Sequence, residues 1–255
     1  MITKEQIDDL SELYQIDGFT IAREYLQLVF LSYLYGARQG SNVYFKGGTA
    51  LRFLFDSPRF SEDLDFSTTY TKEQIVEIIT SLEQKMKKEL PGLRIIGAYS
   101  GERGIRFRLK YQSADFKYPS VIRLDFNTVK QIRDKAVSPL LTKFPVMIFP
   151  LISHLSGEEI LAEKIRALAT RAKGRDFFDV WFMLKKGILL KENLLKLKFE
   201  EVGKVYGKEA LLKKIKSYPQ NKLDRDLSRF LPKSQRQITS LLKAGLTGLF
   251  EKWLV

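Results

Sequence analysis

Two runs of residues in this 255-residue chain have types and spacings suited to chemistry on a phosphate chain. The first is Lys46-Gly47-Gly48-Thr49-Ala50-Leu51-Arg52. A glycine pair between a strand-like run and a helix-like run lets backbone N–H groups approach a ligand closely, and Lys46 and Arg52 add cations. The second, Ser61-Glu62-Asp63-Leu64-Asp65-Phe66, follows shortly after. On a strand, residues i and i+2 face one way about 6.5–7 Å apart, so Asp63 and Asp65 project together while Leu64 and Phe66 enter the core. Paired carboxylates repel unless a cation joins them, and hard oxygen donors without His or Cys select magnesium or manganese. A third carboxylate, Asp125 in Val121-Ile-Arg-Leu-Asp-Phe126, sits among apolar strand neighbours and needs a partner, either a shared metal or Arg123 or Arg108. Three acids on neighbouring strands match a metal-assisted phosphoryl-transfer site. Without a ligand, the same residues read as a glycine turn and a polar strand edge.

A later stretch is expected to form the second wall of the same site. Ile160-Leu-Ala-Glu-Lys-Ile-Arg-Ala-Leu168 is amphipathic, with Glu163, Lys164 and Arg171 near the margins of its apolar stripe. Arg175-Asp176-Phe-Phe-Asp179 opens the next helix, with Arg175 and Asp179 at i, i+4. One reading is an inter-helix salt-bridge cluster, Lys164 with Asp179 and Glu163 with Arg175. The other puts Lys164, a compact point charge, on nucleotide phosphates, with Asp179 orienting it or accepting a proton.

The elements that must position these groups make an α+β chain. Thr3 with Glu5 and Gln6 opens a short helix, and Asp17 or Thr20 a longer one to about Gly36. Val43–Phe45 is a strand ending at the glycines, and helical composition resumes at Thr49. Asp63–Ser67 is a strand, and Thr71 caps a helix ending near Pro91-Gly92. Strand-like runs follow at Leu93–Ala98, Ile105–Tyr111, Val121–Val129 and Val146–Phe149. From Gly157 onward only helices are predicted, at about 157–171, 175–186, 191–203, 207–216 and 233–253. This gives an α+β chain with a mixed-sheet core over 1–152 and a helical part over 153–255 that completes the site.

Composition narrows the classes. Hydrophobic residues make up 44% and charged residues 29% of the chain, values of a globular protein. There is no cysteine, which excludes disulfides, zinc thiolates and thiol nucleophiles, and the single histidine, His154, excludes histidine metal clusters. His154, between a proline and a helix start, reads as structural. The N-terminus has no signal pattern, and the apolar run Leu26–Leu34 is too short to span a bilayer, so a cytoplasmic protein without membrane association is expected. The net charge of +13 favours a polyanionic partner or reflects a lysine-rich solvated surface. Ten lysines lie between Lys185 and Lys216 against four acidic residues, and Arg103, Arg106, Arg108 and Lys110 form a second basic patch on a hairpin.

Gly47-Gly48, Asp63-x-Asp65 and Asp125 together resemble the nucleotidyltransferase fold of the DNA polymerase β superfamily. That resemblance implies a glycine pair contacting a triphosphate and two or three acids binding metal. With the Leu161–Leu168 helix and Arg171-x-Lys-x-Arg-Asp-Phe-Phe-Asp179 added in order, the chain resembles the AbiEii-type (MenT-like) nucleotidyltransferase toxins over roughly residues 40–185. These are toxins of abortive-infection and type IV-class toxin–antitoxin pairs. The resemblance implies Mg2+- or Mn2+-dependent transfer of a nucleotide from an NTP to RNA, with tRNA 3′ ends as a target class and an antitoxin protein as partner. By the same resemblance Gly48, Ser61, Asp63, Asp65, Lys164 and Asp179 carry the activity. Lys46, Gly47, Thr49, Arg52, Glu163, Arg171, Arg175 and Asp176 lie in the same motifs and are expected at the substrate. Asp125 rests on the wider superfamily. The alternatives are a kinase-like or protein-modifying enzyme and a basic RNA-binding module with a degenerate site.

Overall fold

The structure, a computed structural model, describes residues 2–112, 116–147 and 149–253. The chain divides into two compact units, Met1–Leu155 and Ser156–Val255; the sequence placed the change three residues earlier.

The first unit begins with α1 (Lys4–Tyr14), opened by a capping box in which the Thr3 hydroxyl accepts from Gln6 N–H and the Gln6 side chain accepts from Thr3 N–H. Asp17 caps α2 (Gly18–Gly36). Then come β1 (Val43–Lys46), α3 (Gly47–Leu54), β2 (Leu64–Thr68), α4 (Lys72–Glu89), β3 (Arg94–Gly101), β4 (Gly104–Tyr111), β5 (Ser120–Thr128), β6 (Lys135–Pro139) and β7 (Leu151–Leu155). The strands form one mixed sheet in the order β3-β4-β5-β2-β1-β7-β6. Its parallel pairs are β2 with β5 and β1 with β7.

Alternation sorts the sheet into two faces. Leu64, Phe66, Phe107, Leu109, Ile122, Leu124 and Phe126 are buried. The Phe66 and Phe126 rings stack at 4.8 Å. Helix α2 packs against β5 and β7, and α4 packs against β3 and α2. Each buried side chain of this size contributes about 1.5–3 kcal/mol. The intervening residues, Asp65, Arg106, Arg108, Arg123 and Asp125 among them, therefore share the opposite face.

The sequence missed β6 and β7, and its expected strand at Val146–Phe149 includes Ile148, outside the described residues; Val146, Met147 and Phe149 are not in a strand. The β6 residues Lys-Ala-Val-Ser-Pro line a sheet edge and are at most half-buried, so they carry no apolar period. Buried His154 ties these strands together. Its Nδ1–H donates to the Leu155 carbonyl at 2.7 Å, which leaves Nε2 to accept from Ser138 Oγ at 2.9 Å. Burial pushes its pKa below the ordinary value, and the Leu155 carbonyl partly offsets this. The unfolded chain therefore binds this proton more readily than the folded one. Stability from the neutral ring is fully present above about pH 6.5 and is lost as pH falls through that value toward the folded pKa. The expected result is a thermal midpoint that drops between pH 7 and pH 5, with a shallower drop in His154→Gln. Equal slopes would assign the decline elsewhere.

The second unit contains α5 (Gly157–Thr170), α6 (Gly174–Lys185), α7 (Glu192–Glu200), α8 (Lys208–Ser217), α9 (Gln220–Ser228), a 3-10 segment (Lys233–Leu241) and α10 (Leu242–Trp253). Helix α5 packs on α6, α7 and α8, and α6 packs on α9 and α10. The expected helix 233–253 is thus 3-10 in its first half. Helix α9 was not expected, because its nine residues carry only Leu223 and Leu227 as an apolar stripe. No described helix is long and apolar enough to cross a membrane.

Candidate functional site

Strand register assembles the predicted groups of the first unit into one line. Lys46 is the cross-strand partner of Asp65, Asp65 of Asp125, Asp125 of Arg106, and Arg106 of Tyr99. Directly paired residues share a face, and strands lie about 4.8 Å apart. The line therefore runs across five strands, with a cation at each end of a carboxylate pair. Asp63, one residue ahead of β2, joins it through Arg123, whose guanidinium hydrogen-bonds the Asp63 carboxylate. Arg123 Nε also lies 2.9 Å from Asp125 Oδ2 without pointing its N–H at it, an ion pair but not a hydrogen bond. Arg106 hydrogen-bonds Asp125 as well. Asp63 and Asp125 thus face guanidinium groups, with Asp125 paired to Arg123 and Arg106 rather than to Arg108.

The glycine pair sits against this line. Gly47 has φ +87°, and a Cβ on it would fall 2.2 Å from Asp65 Oδ2. Only glycine permits both the left-handed backbone and the approach to the carboxylate. Gly47→Ala is expected to cost about 1–3 kcal/mol through backbone strain and to push Asp65 out of line. The check is a lowered thermal midpoint together with a transfer rate reduced at least tenfold; an unchanged rate would show that Asp65 tolerates displacement. Gly48 is equally confined, since a Cβ there would meet Arg59 Nη2 at 2.4 Å and Ser61 Oγ at 2.9 Å. Lys46, buried at the N-cap of α3, makes no side-chain cap to the helix. The Thr49 hydroxyl donates to the Asp63 carbonyl, fixing the loop to the strand that carries the acids.

Two residues differ from expectation. Arg52 is not brought to the carboxylates: it forms a two-pronged pair with Glu24 at 3.1–3.2 Å and lies over the Phe60 ring at 3.9 Å. Burial pushes the Glu24 pKa up against the pull of Arg52. Arg59 was not singled out, yet it is fully buried, abuts Gly48 and donates from Nη1 to the Phe60 carbonyl at 2.9 Å. Its only sequence signal is a cation two residues before Ser61.

In the second unit, Lys164 and Asp179 form an ion pair at 2.7 Å, with Asp179 fully buried. Arg171 grips buried Asp176 through two hydrogen bonds of 2.9 and 2.7 Å, and Asp176 also accepts from Lys173 N–H, closing the first turn of α6. Glu163 pairs with Lys198 at 3.3 Å rather than with Arg175, and Lys198 also reaches Glu159 at 2.7 Å. Arg175 is half-buried and makes no ion pair among the described residues. Two members of the lysine-rich stretch are structural: Lys198 is buried, and Lys214 donates to the Ala169 and Thr170 carbonyls at the end of α5.

A glycine turn entering a helix beside strand-borne carboxylates on a mixed sheet is the arrangement that the resemblance to the nucleotidyltransferase fold implied. The chain belongs to the AbiEii family: the family model "Nucleotidyl transferase AbiEii toxin, Type IV TA system" matches residues 30–251. Among solved structures, it is similar to the nucleotidyltransferase toxin MenT4 (Rv2826c) from Mycobacterium tuberculosis H37Rv, at 17% identity and TM-score 0.69, over 98% of this chain and 89% of that one. It is also similar to JHP933 from Helicobacter pylori, at 19% identity and TM-score 0.56, over 93% and 94% of the two chains. A putative nucleotidyltransferase from H. pylori matches at 19% identity and TM-score 0.53, over 91% and 96%. At these identities the structural likeness concerns the fold. No curated protein sequence matches.

Proposed function

We propose that this toxin-family nucleotidyltransferase moves a nucleotide from an NTP to the 3′ end of RNA, with tRNA as the acceptor class, and that an antitoxin protein restrains it. The observation that carries this reading is the line Lys46–Asp65–Asp125–Arg106, with Gly47 and Gly48 against it. Gly47 and Gly48 offer N–H groups to the triphosphate at the start of α3. Asp179 orients Lys164 as a point charge for the phosphates.

Asp63, Asp65 and Asp125 would hold magnesium or manganese, and as hard oxygen donors on one sheet face they suit such an ion. Among the described residues no three acidic or histidine side chains are gathered as a metal cage, so Arg106 and Arg123 must release Asp125 and Asp63 for all three to share an ion. The ion supplies charge neutralisation at the phosphoryl oxygens when bound. The acceptor hydroxyl attacks the α-phosphorus and releases its proton to water, the bond from the α-phosphorus to the bridging β-phosphate oxygen breaks, and pyrophosphate leaves. With an RNA substrate the reaction takes place in the cytoplasm.

The test is incubation with each α-labelled NTP, magnesium and total tRNA, beside an Asp65→Ala control. Label on tRNA that the control lacks is expected. Label on protein alone would overturn the RNA reading.

A further inference from the structure

We infer that the outer half of the open sheet face, formed by β3 and β4, is the track on which a single-stranded RNA end approaches the carboxylates. The inference rests on the nucleotidyltransferase reading above and assigns the acceptor a place within it.

Three alternate rungs of the sheet, all on one face, carry the inference. The rung at the carboxylates is Tyr99–Arg106–Asp125. The next is Ile96–Arg108–Arg123, and the outermost is Arg94–Lys110–Val121. Alternate residues of one strand lie about 6.5–7 Å apart. Arg106, Arg108 and Lys110 therefore form a row of cations leading outward from Asp125, at a spacing close to that of successive phosphates in an extended strand. Strands β3 and β4 contain no acidic residue. Arg108 and Lys110 are exposed and have no side-chain partner among the described residues. A cation row whose two outer members are uncompensated fits a polyanion.

An aromatic platform stands at the inner end of the row. Tyr99 is 59% exposed, and the Arg106 guanidinium lies 5.8 Å from its ring centroid. Simple alternation would send Tyr99 to the buried face with Gly97. The register shifts between Gly97 and Tyr99, and this bulge turns Tyr99 onto the cationic face opposite Arg106. Gly101 makes room for it: a Cβ there would strike the Tyr99 hydroxyl at 1.9 Å. An exposed ring re-aimed by a bulge and placed beside an arginine gives a base a surface to stack on. The phosphates 5′ of the reacting nucleotide then lie along Arg108 and Lys110. An acidic protein partner would also meet the charge, but not the stacking ring at the end nearest the carboxylates.

The experiment uses the full chain and a short fluorescein-labelled single-stranded RNA, read by anisotropy, with nucleotide binding followed separately by a fluorescent NTP analogue. Arg108→Glu with Lys110→Glu is expected to weaken RNA binding about tenfold or more and to lower the slope of log K against log salt by about 1.4, two contacts at ~0.7 each. NTP binding and the thermal midpoint stay as in wild type. Tyr99→Ala is expected to weaken RNA binding severalfold with little change in the salt slope. RNA affinity unchanged in both variants, or absent in wild type, overturns the track. So does loss of binding to an acidic protein with RNA binding intact. Failure of the underlying reading looks different: wild type binds the RNA and the variants do not, yet no nucleotide is transferred to it.

Discussion

Asp65→Ala is expected to lower the rate of nucleotide transfer by about 10³-fold or more while moving the thermal midpoint by less than about 4 °C. Asp65 is the central carboxylate of the cross-sheet line, flanked by Lys46 on β1 and Asp125 on β5, and it is the group that Gly47 is shaped to approach. Its removal leaves Asp63 and Asp125, which face Arg123 and Arg106. Too little negative charge then remains to hold a dication. The residue is only half-buried, and its neighbours Leu64 and Phe66 carry the packing of β2, so the fold survives. A variant that both unfolds and loses activity would mark Asp65 as structural. Retention of the wild-type rate would remove the carboxylate line from the mechanism.

The second large effect concerns stability. Lys198→Met is expected to destabilise the helical unit by about 3–5 kcal/mol, the usual result of removing one partner from a buried charge cluster. Lys198 is buried and lies 2.7 Å from Glu159, 3.3 Å from Glu163 and 3.4 Å from Glu201. Burial alone would lower its pKa; Glu163, Glu159 and Glu201 outweigh that and hold it above the ordinary lysine value. Its contribution is therefore fully present below about pH 10.4 and is lost only as pH rises through the folded value. The variant strands carboxylates of α5 without a cation. A drop in thermal midpoint on the order of 10 °C or more at pH 7 is expected, with partial recovery when Glu159→Gln and Glu163→Gln are added. A midpoint equal to wild type would mean that the cluster is solvated.

These two residues also show what a sequence can and cannot convey. Asp65 was legible because the relation it depends on is local: alternation on a strand aims Asp63 and Asp65 alike. The same holds for the Thr3 and Asp17 caps and for the glycine turn before α3. The pairing of Asp65 with Asp125 was not legible, because it depends on a parallel register between strands some sixty residues apart, and side-chain periodicity does not encode a partner. Arg123 was expected as a partner of Asp125, but only the register adds Arg106 to Asp125, and Asp63 to Arg123. Tyr99 was hidden for a related reason, since a bulge reverses the face that alternation assigns. Lys198 was read within a lysine-rich stretch facing solvent, because residue type says nothing of burial once two glutamates come from one face of α5 and a third from the end of α7. Strand β6 escaped because an edge strand need not be apolar.

The central claim is that the carboxylate line transfers a nucleotidyl group rather than a phosphoryl group. Its most direct test is to supply the wild-type protein with an NTP labelled in parallel at the α- and γ-phosphates, with magnesium and RNA, and to measure the pyrophosphate released per label incorporated. The prediction is α-label on the RNA, no γ-label on any macromolecule, and one pyrophosphate per nucleotide added. Transfer of γ-label to RNA or protein without release of pyrophosphate would contradict it.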